Sequence, residues 1–160
     1  LQLPGLLLGQ PGGVQQPLLT RHTLEEARGE LRILLAEDNL VNQKLASALL
    51  SKRGHQVIVA VNGAEAVKIS ADQVFDLILM DLQMPVLDGL AATTAIRQRE
   101  GEGGRRVPIV AMTANVLAGD KERCLAAGMD GYVSKPIRVN ELLAAIADCV
   151  KNKEKPPGVA

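Results

Sequence analysis

The chain has 160 residues, 47% of them apolar, which is enough for one domain with a real core and too apolar for a disordered segment. Its 18 basic and 18 acidic residues cancel, so no overall field favours nucleic acid or an anionic membrane. With no Trp, one Phe and one Tyr, the chain also lacks the stacking platforms that many single-strand nucleic-acid binders use.

Residues 1–29 are punctuated by Pro4, Gly5, Gly9, Pro11, Gly12, Gly13 and Pro17, and the cluster Leu6-Leu7-Leu8 is far too short to span a bilayer. There is no basic region before it and no initiator Met, so it reads as an interdomain linker from a longer protein. The alternative is that Leu6, Leu7, Leu18 and Leu19 dock on the folded domain or on a partner. The domain itself is expected over residues 30–150, with a frayed tail over 151–160.

Leu31–Ala36 reads as a first strand ending in Glu37-Asp38-Asn39, whose adjacent carboxylates suggest a cation between them or a solvated turn. Val41, Leu45, Ala48 and Leu49 recur at helical spacing up to Arg53, and Gly54 supplies the stop. His55–Ala60 is a second strand. Asn62 is placed to cap a helix over Ala64–Ala71 with Ala66, Val67 and Ile69 inward. Asp76–Met80 is an apolar run of the kind buried on both faces, delivering Asp81 just beyond its packed part. After the Leu82–Asp88 loop, Gly89 opens a helix to Arg99, and residues 101–106 read as a charged turn. Val107–Met112 is a fourth strand leading to Thr113, and a helix over Val116–Ala127 follows. Tyr132-Val133 is a short fifth strand ending in Ser134-Lys135-Pro136, and a last helix over Val139–Val150 presents Leu142, Leu143, Ile146, Cys149 and Val150 on one side. Cys124 and Cys149 have no ligand-like spacing and read as small buried residues. Neither His22 nor His55 is placed for catalysis or metal binding.

Five strands alternating with five helices imply an α/β domain, a doubly wound parallel sheet with flavodoxin-like order 2-1-3-4-5. In that order Glu37, Asp38 and Asp81 converge at the switch point, Thr113 adds a hydroxyl and Lys135 a point charge. Such a set suits Mg²⁺ and phosphoryl chemistry, with Asp81, from the central strand, as the nucleophile. No GxxxxGK loop supports ATP binding.

Leu34-Leu35-Ala36-Glu37-Asp38-Asn39, Leu79-Met80-Asp81-Leu82-Gln83-Met84-Pro85 with Asp88-Gly89, Ala111-Met112-Thr113-Ala114 and Tyr132-Val133-Ser134-Lys135-Pro136 together resemble the response-regulator receiver (phosphoacceptor) domain of two-component signalling. The resemblance implies Asp81 as the phosphorylation site, Glu37 and Asp38 as acidic metal-site residues, and Gln83 as a backbone carbonyl ligand of Mg²⁺. It implies that Thr113 contacts the phosphoryl group and acts as a switch, with Tyr132 as its aromatic partner and Lys135 pairing with the phosphoryl group, and that Lys135-Pro136 is cis. Gln83 and Asn115 would tune access of water to the acyl phosphate. The run Asn39–Lys44 and the stretch Leu18–His22 resemble receivers at the C-terminal side of hybrid sensor histidine kinases. The implied partners are phosphohistidines of a kinase dimerisation domain or of a histidine phosphotransfer domain. The implied setting is a cytoplasmic monomer or weak dimer that binds no DNA. Leu142, Leu143 and Ile146 are expected to face the core, the alternative being that part of the final helix serves as a dimer or partner surface.

Two other functions compete. A phosphatase of the haloacid dehalogenase type also uses a strand-end Asp with Mg²⁺, but it wants a second Asp where this chain has Gln83. A pseudo-receiver that only binds would not need the acidic pair, Asp81, Thr113 and Lys135 together.

Overall fold

The computed structural model describes residues 30–101, 104–114 and 118–153. The expected linker, Asn115 and residues 154–160 of the expected tail lie outside them. Strands β1 (Arg32–Ala36), β2 (Gln56–Ala60), β3 (Leu77–Asp81), β4 (Ile109–Thr113) and β5 (Gly131–Ser134) alternate with helices α1 (Leu40–Ser51), α2 (Gly63–Asp72), α3 (Gly89–Glu100), α4 (Ala118–Ala127) and α5 (Val139–Lys153). The strands form one five-stranded sheet in the order β2-β1-β3-β4-β5, with every pairing parallel, which is the flavodoxin-like doubly wound architecture.

Alternate residues of each strand feed two cores. Leu34, Ile78, Met80 and Ile109 point to one face of the sheet, and Ile33, Leu77, Leu79 and Met112 point to the other. Every residue of β3 is buried, which is why that strand reads as an unbroken apolar run. Each of its large side chains contributes about 1.5–3 kcal/mol of burial. Cys124 and Cys149 are free, buried and on opposite faces of the sheet.

The helices start where polar caps follow strand ends. Asn39, Asn62 and Asp88 accept hydrogen bonds from the backbone N–H groups of Asn42 (3.0 Å), Glu65 (2.8 Å) and Ala91 (2.8 Å). A cap of this kind is worth about 1 kcal/mol.

Four expectations need correction. In α1 the packed residues are Ala46 and Leu50, whereas Val41 and Leu45 are 72% and 44% exposed. Apolar residues occupy much of that helix's circumference, so spacing alone does not choose the inward stripe, and the small Ala46 allows the closer approach to the sheet. Asp81 is the last residue of β3 and only 4% exposed, not beyond the packed part, because charged and backbone partners offset its desolvation. Helix α5 continues to Lys153, past the expected boundary. The basic stretch after α3 is more than a turn. Arg106 within it pairs with Asp130 at 3.0 Å, and inside the last turn of α3 the mostly buried Arg97 donates to Glu100, to Asp130 and to the carbonyls of Val107 and Gly128. These bonds tie the end of α3 to the start of β4 and to the turn before β5.

Candidate functional site

The parallel register sets the site. β1 runs level with β3 up to the pair Ala36 and Met80, so Glu37, just past the end of β1, lies beside Asp81, the last residue of β3. Asp81 faces Met112 across β4, and Thr113 faces Ser134 across β5. The backbone N–H of Lys135 donates to the Thr113 carbonyl at 2.8 Å, so the ladder carries one residue past the strands and turns the lysine side chain back over the site. The Lys135-Pro136 peptide is cis.

One carboxylate oxygen from each of Glu37, Asp38 and Asp81 lies within 4.8 Å of the others. Glu37 is 1% exposed and Asp38 is open to solvent, so the cluster has a buried back and an accessible front. Lys135 Nζ bridges Glu37 Oε1 at 2.8 Å and Asp81 Oδ2 at 2.9 Å. Burial alone would lower the Lys135 pKa, but Glu37 and then Asp81 outweigh it and hold the ammonium above its ordinary range. Glu37 Oε2 accepts from the Asn39 N–H at 3.1 Å, and Asp81 Oδ1 accepts from the Gln83 N–H at 3.2 Å. Glu37 Oε1 is buried, with Lys135 as its ionic partner and no well-aligned hydrogen bond among the described residues.

Asp38, Asp81, Thr113 and Lys135 line a cleft of about 740 Å³ that runs past the Leu82–Pro85 loop to Asp120 and Arg123. Thr113 is 5% exposed. The Gln83 side chain is exposed at the mouth of the cleft. Tyr132 does not line it. The ring lies two residues before Ser134, packs against one core and sits 5.7 Å from the Lys121 ammonium. His55 is remote and accepts the Leu31 N–H on Nδ1 at 3.0 Å.

Three carboxylates facing one ammonium leave excess negative charge around hard oxygen donors, and these residues fit a divalent cation of the Mg²⁺ type. Sequence reasoning did not assign Asn39 its contact with Glu37, Asp88 its cap, or Asp120 and Arg123 their place on the cleft. The cap had a signal in Asp88-Gly89 before an apolar helix. The other contacts depend on loop paths that spacing does not encode.

A parallel doubly wound sheet carrying a buried acidic cluster, a lysine and a threonine at its switch point defines a phosphoacceptor-class α/β domain. The chain belongs to the response regulator receiver domain family, whose model matches residues 33–147. It is 39% identical over 158 residues to hybrid signal transduction histidine kinase I of Dictyostelium discoideum, covering 91% of this chain and 9% of the relative. It is 46% identical to hybrid signal transduction histidine kinase G of the same organism, covering 71% and 3%. The chain therefore spans less than a tenth of the length of these curated relatives. Among solved structures it is similar to the receiver domain of a sensor histidine kinase from Pseudomonas aeruginosa PAO1, solved with a magnesium ion coordinated in its active-site cleft. That likeness has a TM-score of 0.69 and 46% identity, and covers 76% of this chain and 98% of that one. It is also similar to the receiver domain of a Saccharomyces cerevisiae response regulator solved with its histidine phosphotransfer protein, at a TM-score of 0.73 and 34% identity, covering 81% and 94%. The chain is a receiver-domain phosphoacceptor module of the two-component and phosphorelay type. Among the described residues, no helix is long and apolar enough to cross a membrane.

Proposed function

We propose that Asp81 accepts a phosphoryl group from a partner's phosphohistidine. The observation that carries this reading is the ion cluster in which Lys135 joins Asp81 to Glu37 beside Asp38, at the head of a cleft. An Asp81 carboxylate oxygen attacks phosphorus, the P–N bond to the imidazole breaks with its electron pair returning to nitrogen, and that nitrogen regains a proton from solvent. Asp38, Glu37, Asp81 and the Gln83 carbonyl would hold Mg²⁺, which when bound would neutralise charge on the transferring oxygens. Lys135, already against Asp81, contributes a positive charge to the transferring oxygens, and Thr113 donates its hydroxyl to the new dianion. Movement of Thr113 toward that group alters the packing of Tyr132 between two arrangements. Gln83 in place of a second acid disfavours rapid turnover, so the acyl phosphate is lost slowly.

The parent protein is a hybrid sensor histidine kinase working in the cytoplasm, and residues 1–29 link the receiver to it. The partner is its own dimerisation domain or a histidine phosphotransfer domain. Support comes from α1, where Leu40, Val41 and Leu45 are 61%, 72% and 44% exposed beside Asp38, an apolar face next to the cleft.

Incubation with a small-molecule phosphodonor and Mg²⁺, followed by intact mass, tests the reading. One acid-labile, hydroxylamine-sensitive addition is expected, and Asp81→Asn removes it while the fold persists. Full incorporation in Asp81→Asn, or steady turnover of a phosphomonoester, would overturn it.

A further inference from the structure

Glu37 is the first residue beyond the β1 ladder, and its backbone has to be satisfied without a continuing strand. Its N–H donates to the Ala60 carbonyl at 3.0 Å, the end of β2. Its own carbonyl has no strand neighbour, because the β1–β3 register stops at Ala36 and Met80. The half-buried side chain of Gln43, in the first turns of α1, fills the gap, with Nε2 donating to the Glu37 carbonyl at 2.7 Å. The Gln43 N–H meanwhile makes an early helical bond, to the Asn39 carbonyl at 2.9 Å. Glu37 is thus held at its N–H, its carbonyl and both carboxylate oxygens, and one residue, Gln43, ties strand, loop and helix into a closed ring around Asp38.

We propose that Gln43 is a positioning residue for the cation site, fixing the Glu37-Asp38 backbone so that both carboxylates are aimed before a divalent ion arrives. The inference rests on the metal-site reading given above. Without the side-chain donor, a water can satisfy the carbonyl, but the loop gains freedom that ion binding must then remove. Gln43 touches neither the ion nor the phosphoryl group. Its effect falls on affinity and on the concentration of Mg²⁺ needed, not on the rate once the site is full.

Gln43→Met keeps the length of the side chain and its helix propensity while deleting the donor. In the full chain, Mg²⁺ affinity measured by calorimetry should weaken on the order of threefold to tenfold, the range set by one hydrogen bond. The half-saturating Mg²⁺ for phosphorylation by a small-molecule donor should rise by the same factor, with the rate at saturating Mg²⁺ unchanged. In the metal-free protein the Asn39 amide, which donates to Glu37, should exchange its hydrogen faster than in the parent. A variant of lower stability that binds Mg²⁺ within twofold of the parent, with unchanged Asn39 exchange, would show a merely structural bond and overturn the proposal alone. A parent chain that binds no Mg²⁺ would overturn the site reading and this proposal with it.

Discussion

A Cβ placed on Gly89 would lie 2.2 Å from the carbonyl oxygen of Asp81 and 3.0 Å from the Leu82 Cα. Helix α3 therefore begins directly against the backbone of the proposed phosphoacceptor, and its first residue has no room for a side chain. The contact is reinforced by the Gly89 N–H, which donates to the Leu82 carbonyl at 3.0 Å. Asp81 is positioned by the helix that follows it as well as by the sheet that carries it.

Gly89→Ala should consequently cost on the order of 1–3 kcal/mol, because the obstructing atoms are backbone and cannot rotate away. Phosphorylation by a small-molecule donor should slow in proportion to the displacement of Asp81. Gly119→Ala is the matched control, since a Cβ there meets nothing within 4 Å among the described residues. It should be neutral or stabilising by up to about 1 kcal/mol, as alanine is in a helix. Equal urea midpoints for the two variants would sink the steric argument.

The Thr93 hydroxyl is the opposite kind of feature. It is fully buried on the inward side of α3 and has no hydrogen-bond partner among the described residues. An unsatisfied buried polar group costs about 1–3 kcal/mol, and removing it in favour of an apolar group of the same shape can be neutral or better. Thr93→Val should raise stability by about 1 kcal/mol, read as a higher urea midpoint at unchanged slope. A clear loss of stability would mean that the hydroxyl makes a bond after all.

His55 gives the fold an acid sensitivity of known sign. Burial, and then the nearby Arg53 charge, hold its pKa below the ordinary 6.5, and Nδ1 is occupied as the acceptor of the Leu31 N–H. The unfolded chain takes up the proton first, so this contribution is complete above about pH 6.5 and is lost as pH falls through the depressed folded value. His55→Gln keeps an acceptor that does not titrate. The stability difference between parent and variant, measured by urea unfolding at several pH values, should be constant above pH 6.5 and shift against the parent below it. A difference independent of pH would contradict the assignment.

The sheet was legible because its signals are local. β3 declares itself by an uninterrupted apolar run, and Asn62 lies where a helix cap must be. The convergence of Glu37, Asp38 and Asp81 followed from strand order alone. Three things were hidden, each for a physical reason. The burial of Asp81 depends on a lysine 54 residues away in sequence, brought in by the β5 ladder. The outward turn of Val41 and Leu45 depends on which of two adjacent apolar stripes of α1 meets the sheet, and periodicity is blind to that choice. The Gln43 bond to Glu37 is a side chain serving a carbonyl beyond a ladder's end, and no spacing rule predicts it.

The bridge from Lys135 to Glu37 and Asp81 also ties stability to the cation. Removing the ammonium as Lys135→Met leaves three clustered carboxylates without their nearest positive charge. Breaking a fully buried pair costs about 3–5 kcal/mol, and this one should cost about 2 because the lysine side chain keeps 18% of its exposure and Asp38 is open to water. The loss should be largest in the presence of a chelator. Mg²⁺ then has more uncompensated charge to neutralise in the variant than in the parent, so its binding should recover part of the deficit, with a stabilisation that grows with the logarithm of its concentration. Thermal unfolding of both proteins across a Mg²⁺ titration reads this directly: the two melting temperatures should converge as Mg²⁺ rises. Phosphorylation of Lys135→Met should nevertheless stay well below that of the parent at saturating Mg²⁺, because the ion restores charge balance at the carboxylates but cannot replace the lysine's charge on the transferring oxygens. Melting curves that shift by the same amount with Mg²⁺ in both proteins would mean that the ammonium and the ion do not act on one cluster.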